Sequence, residues 1–187
     1  MNDKIEEFTN PPIRYAFHQS PDKVRSIEQA RIDGANCETI MHLAIFSLHD
    51  FRLPSRLLCY ESFRDNRHFE TVSSPRVMRE GDVLWFCPEV AFADTFVPDY
   101  DLNNRLRNWR KGPAQHAGVF TGEKLGGDPL VLHTTPRTGT TVWRLGEFAT
   151  NPRYAAISRI GRIAVQPYSH FSISGLGGAG RVSGWRG

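Results

Sequence analysis

The stretch Asp33–Leu48, DGANCETIMHLAIFSL, opens on a turn signal, Asp33-Gly34, and runs directly into apolar residues at helical spacing. Ile40, Met41, Ala44, Ile45 and Leu48 lie on one stripe of a helix that must be buried against something. Asn36 is a good N-cap, since its side-chain oxygen can accept an orphan N–H of the first turn. That places Cys37 at the first helical position, where free N–H groups and the positive end of the helix dipole favour a thiolate. Cys37 is open to two readings: a catalytic thiol, or a small buried residue at a helix start.

The rest of the chain narrows the choice of class. Its 187 residues fit one domain of ordinary size, with a core that needs no staples. A hydrophobic fraction of 40% with 23% charged residues is that of a globular protein and argues against wholesale disorder. A net charge of +3 lacks the dense basic stripe that nucleic acid would require. No apolar run reaches the length of a membrane span, about 18 residues. The opening residues, MNDKIEEFTNPP, lack the basic and apolar regions of a secretory signal. The expected location is therefore the cytoplasm, or an exterior reached by a signal-independent route. Cys37, Cys59 and Cys87 are widely spaced and form no C-x-x-C pair, so neither a zinc ribbon nor a disulfide framework is expected. Cys59 among Leu57, Leu58 and Tyr60, and Cys87 after Leu84-Trp85-Phe86, read as packing residues.

Taken in order, residues 1–19 carry Pro11-Pro12 and no period, which predicts an irregular arm packed over the domain. Ser20-Pro21 reads as a cap followed by proline, opening a helix through Val24, Ile27 and Ala30 to Asp33-Gly34. The Cys37 helix comes next and ends around His49–Phe51. Residues 55–80 show a weak helical pattern at Leu57, Leu58 and Ser62, then a loop at Ser73-Ser74-Pro75. Strands dominate afterwards. Gly81-Asp82 introduces the apolar run Val83–Phe86. Residues 88–115 form a long connection, the kind that serves as a lid or binding loop. His116–Thr121 and Leu130–His133 flank a glycine-rich turn and read as a hairpin. Thr140–Leu145 is a further strand, 146–152 a short helical turn and Tyr154–Val165 a last strand. Residues 171–187 are a glycine-rich tail expected to be mobile. Helices followed by four or five antiparallel strands, six at most, predict an α+β domain over 20–170.

A thiol nucleophile needs a base within hydrogen-bond reach, and the base needs an orienting group. His42 lies about 140° round the helix from Cys37 and faces away from it. His18, His49, His68 and His170 sit in loops or at element ends with nothing to aim them. His116 and His133 stand on the two arms of the predicted hairpin, near its open end, where residues meet across the ladder. His116 is the expected base and His133 its orienting partner. A surface pair or a metal site is the competing reading, but metal requires a third ligand and no H-E-x-x-H is present. Arg105, Arg107, Arg110 and Lys111 around Trp109 read as a solvated face, or as a clamp on a substrate carboxylate.

The order of these motifs resembles the NlpC/P60 cysteine peptidases, a papain-like group. Asn36-Cys37 opens an apolar helix, and Gly81-Asp82-Val83-Leu84-Trp85-Phe86 begins a strand. His116-Ala117-Gly118-Val119-Phe120 carries the base, and Val131-Leu132-His133 ends the next strand on the third polar residue. Val142–Leu145 and Arg153–Arg162 match the closing strands, so the likeness spans roughly residues 20–163. The nucleophile stretch departs from the family's Asp-Cys-Ser-Gly, reading Asn36-Cys37-Glu38-Thr39. Cysteine precedes histidine, unlike the permuted lipid acyltransferases. The resemblance implies a papain-like α+β fold, a Cys37–His116–His133 triad, no cofactor, and hydrolysis of a peptide or amide bond in peptidoglycan stem peptides. Arg105, Trp109 and Arg110 would then contact substrate. Two other functions are consistent with the residues: an effector-like amidase or deamidase acting on a protein, and a non-catalytic binding module.

Overall fold

The computed structural model describes residues 3–89, 96–102 and 106–164. The glycine-rich tail, and Arg105 within the long connection, lie outside them. The fold is α+β: five short helices and a six-stranded, wholly antiparallel sheet among the described residues. The helices are α1 (Asp3–Thr9), α2 (Ile27–Asp33), α3 (Cys37–His49), α4 (Cys59–Arg64) and α5 (Leu145–Ala149). The strands are β1 (Phe69–Thr71), β2 (Val83–Cys87), β3 (His116–Leu125), β4 (Asp128–Thr135), β5 (Gly139–Arg144) and β6 (Ala156–Ile163). They lie in the order β1-β6-β2-β3-β4-β5, so the last strand returns to the interior beside β2. None of the described helices is long and apolar enough to cross a membrane.

Both faces of the sheet are covered. The α3 stripe, with Ile40, Met41, Ala44 and Ile45 buried, packs with Val83, Trp85, Ala117, Val119 and Leu132 on one face. The opposite parity of the same strands, Leu84, Phe86, Phe120 and Val131, packs under Phe148 of α5 and Ile160. This alternation is why β2 is buried throughout and reads as an unbroken apolar run. Asp82, itself buried, clips β6 to the start of β2 through a two-pronged bond from Arg162: Nε to Oδ1 at 2.9 Å and a terminal nitrogen to Oδ2 at 2.8 Å.

Four expectations need correction. The N-terminal arm packs over the domain but is not irregular, for α1 lies within it and buries Ile5 and Phe8 completely. Ser20-Pro21 does not open a helix. The Ser20 hydroxyl bonds Asp22, the chain makes one turn over the Ser20 carbonyl, and α2 starts only where the Ser26 side chain accepts the Gln29 N–H at 3.1 Å. Residues 55–80 contain an edge strand, β1, paired with β6 from Phe69↔Ile163 to Thr71↔Gly161. At three residues it is too short to carry a period. The β3–β4 turn is also tighter than expected: Gly126 and Gly127, with φ of 63° and 85°, make the two-residue turn whose positive angles suit glycine.

Candidate active site

Asn36 caps α3 as expected, its Oδ1 accepting the Thr39 N–H at 2.9 Å, and Cys37 is the first helical residue. The preceding chain is locked in place by a strip of the N-terminal arm. The Ala35 N–H donates to Arg14 O at 2.9 Å, Ala16 N–H to Ala35 O at 3.0 Å, and Thr39 Oγ1 to Gln19 O at 2.6 Å. Cys37 as a residue is half-buried.

His116 and His133 come together with the thiol. The His116 side chain and the Ala117 N–H lie beside the Cys37 sulfur, and both lower its thiol. His116 Nε2 lies 3.0 Å from His133 Nδ1, which leaves Nδ1 of His116 for the sulfur. The two rings meet nearly edge to face, at 86° and 5.2 Å between centroids. They are diagonal neighbours on the hairpin rather than an opposed pair: Gly118 stands beside His133, and a Cβ on it would lie 3.6 Å from that of His133. The missing side chain leaves His133 room to lean toward His116. The Tyr154 ring stacks on His116 at 4.3 Å and 23°, while Trp143 and Phe148 enclose His133.

These surroundings set the protonation states. The Cys37 thiol is held well below the usual value, chiefly by a hydrogen bond from Cys59, then by the hydrogen bond and charge of His116, with burial opposing. His133 is pushed down to about 2, first by burial and then by His116, so it stays neutral. For Nδ1 of His116 to serve the sulfur as a base, its ring proton must sit on Nε2, and that Nε2–H donates to the His133 Nδ1 lone pair. That fixes the His133 proton on Nε2, a buried atom with no hydrogen-bond partner.

Four neighbours were not expected. Cys59, read as a packing residue, opens α4 with its Sγ 3.8 Å from that of Cys37, and the proximity drives its own thiol value well up. No side chain of its own segment caps α4; Glu38 reaches across from α3 and accepts the Cys59 N–H at 3.1 Å. Only tertiary packing supplies that cap, so nothing local in the sequence announced it. Burial and then the Cys37 charge raise Glu38 to about 7. Tyr15 runs beside Ala35 on the arm and is pushed up to about 12 by burial first, then by Cys37 and Tyr154. Tyr154 is raised by burial and Cys37 in turn.

The remaining histidines are placed differently. His42 turns away from Cys37, as its spacing requires, and donates from Nε2 to Leu57 O at 2.7 Å. His68 is aimed after all, its Nδ1 bonded to Asp65. Trp109 rests against the exposed Phe17 at 5.9 Å between ring centroids, with the Arg110 guanidinium 5.3 Å from the Trp109 ring. Phe17 O accepts a bond from the Asn36 side chain at 3.3 Å, which connects this aromatic pair to the start of α3. A separate cavity of about 400 Å³, lined by residues including Arg25, His42, Phe46 and Arg52, includes none of Cys37, His116 and His133. Among the described residues no three His, Cys, Asp or Glu side chains gather as a metal site would require. No family model matches this sequence, and neither does any curated protein.

Proposed function

We propose that this protein is a cysteine hydrolase of the papain-like, NlpC/P60 type that cleaves a peptide or amide bond. The observation that carries the reading is the chain from the thiol of Cys37 through His116 to the buried, neutral His133. A lowered thiol beside an imidazole whose far nitrogen is held is the arrangement of an activated nucleophile. His116 takes the thiol proton, and the sulfur attacks the amide carbonyl. The oxyanion is met by the Cys37 N–H, one of the first-turn donors without an intrahelical partner. The Tyr15 hydroxyl, pushed up to about 12 and so kept protonated at neutral pH, feels the Cys37 charge and is the candidate second donor. His116 then protonates the leaving amine, and water, deprotonated by His116, releases the acyl group from sulfur. The resemblance supports stem peptides of peptidoglycan as the substrate class, with Trp109 and Arg110 the candidate substrate contacts.

Incubation with purified peptidoglycan fragments should release new free amines. Cys37→Ala should abolish the release, and His116→Ala should lower it by about 10²–10⁴-fold. Tyr15→Phe should cost about 10²-fold or more in kcat, the scale of one lost oxyanion donor. In the wild type, iodoacetamide at pH 6 should alkylate Cys37 far faster than a free cysteine. Slow alkylation at pH 6 would remove the activated thiol. Fast alkylation without amine release would shift the assignment to protein amides, tested by ammonia release from glutamine side chains.

A further inference from the structure

Two helices begin with a cysteine, and the fold brings those two first residues together. Cys37 Sγ and Cys59 Sγ are 3.8 Å apart, close enough for one thiol to hydrogen-bond the other. A disulfide needs about 2.05 Å, so closure requires a further approach of about 1.8 Å. Cys37 is half-buried, whereas Cys59 is only 5% exposed, so a small oxidant meets Cys37 first. The placement of Cys59 is built from several sides. Glu38 holds its N–H, and the Ser62 hydroxyl donates to its carbonyl at 3.1 Å. That same hydroxyl accepts the Trp85 indole N–H at 3.0 Å, which ties α4 to the sheet. Simple packing needs a small apolar group at this position and no sulfur aimed at the nucleophile.

We propose that Cys37 and Cys59 are a peroxide-modification site, with Cys37 the sulfur attacked by hydrogen peroxide and Cys59 the resolving thiol. The Cys37 thiolate attacks one peroxide oxygen, an S–O bond forms, the O–O bond breaks, and hydroxide leaves to become water. Cys37 sulfur has then lost two electrons, and the peroxide has been reduced. The Cys59 sulfur next attacks the Cys37 sulfur; the S–S bond forms, the S–O bond breaks, and the departing hydroxide takes the Cys59 proton. Two thiols and one peroxide become one disulfide and two waters. Resolution stops Cys37 short of the irreversible sulfinic acid, and a dithiol reductant restores it. The lowered Cys37 thiol suits attack on the peroxide, and the bond and charge of Cys37 that help hold Cys59 protonated are lost once Cys37 is oxidised. Cys87, wholly buried with its Sγ donating to Glu89 O at 3.2 Å, is an internal reference.

The test uses the full chain, hydrogen peroxide, thiol titration and peptide mapping by mass, so it does not depend on turnover or on the hydrolase reading. The wild type should lose two titratable thiols and two hydrogens in mass, yield a Cys37–Cys59 linked peptide, and recover fully in dithiothreitol. Cys59→Ser, and Cys59→Ala as a second variant, should instead give a dimedone-reactive Cys37 that proceeds to a sulfinic acid no reductant reverses. Added oxygen on Cys37 without a cross-link in the wild type overturns the proposal. So does a Cys59 variant whose thiol recovers as completely as the wild type. Should both variants fail to fold by circular dichroism, the wild-type peptide map decides alone.

Discussion

His133 is wholly enclosed and uncharged, and this couples the site to stability. Its folded value lies near 2, well below the roughly 6.5 of an unfolded histidine. A depressed histidine contributes stability above the unfolded value and loses it as pH falls, because the unfolded chain binds a proton that the folded chain refuses. Between pH 6.5 and pH 4.5 that loss amounts to about 2–3 kcal/mol. His42, also lowered by burial, adds in the same direction. Urea unfolding at both pH values should show His133→Asn losing less stability on acidification than the wild type; equal losses would contradict the buried neutral state. At this scale the sequence was partly legible. A cap pointed to Cys37 and a hairpin to His116 and His133, and the fold brings the three near one another. Cys59 and Tyr15 were not legible, nor was the bond from the Cys59 N–H to Glu38, because contact between segments distant along the chain produces them. Arg110 and Trp109 were chosen on charge and ring alone, and the structure places Trp109 against Phe17 with Arg110 over the Trp109 ring.

The β3–β4 hairpin is the element that makes the imidazole pair possible, and Gly118 is its narrowest point. A methyl group there would meet Val131 Cγ1 at 2.6 Å and Leu132 O at 3.2 Å, on the face that carries His133. Gly118→Ala should therefore cost about 1–3 kcal/mol as an overpacked core. It should also slow Cys37 alkylation at pH 6, since the strain falls beside the histidine contact. Thermal melts and alkylation rates measured together check this, and an unchanged melt would show that the strands can part without cost. Elements with strong local signals were legible: α3 from its cap and stripe, β2 from its unbroken apolar run, β3 and β4 from the glycine turn. Those with weak signals were misread. Pro21 comes after a serine as a helix-opening proline does, yet the Ser20 hydroxyl is taken by Asp22 and the cap falls to Ser26.

Across the whole molecule, the arm joins parts that are remote along the chain. It places Ile5 and Phe8 in the core shared with α3, runs past Ala35 as the strip that carries Tyr15, and touches β5 at Thr140. Phe8→Ala should cost about 3–5 kcal/mol, the scale for a large aromatic side chain lost from a core. Unfolding midpoints in denaturant measure it; a loss below 1 kcal/mol would mean that the arm is merely draped over the surface. Its helix was illegible because two buried residues three apart are too few to establish a period, and Pro11-Pro12 breaks any pattern beyond them. The contact at Thr140 has another consequence. β5 is one of the two outer strands of the sheet, and its Thr140 N–H donates to Ile13 O at 2.9 Å. An uncovered outer strand offers its peptide groups as a template to a second copy. Clipping the chain before Arg14 would bare that border, and light scattering that climbs with protein concentration in the clipped form alone would reveal the arm as a guard against strand-to-strand aggregation.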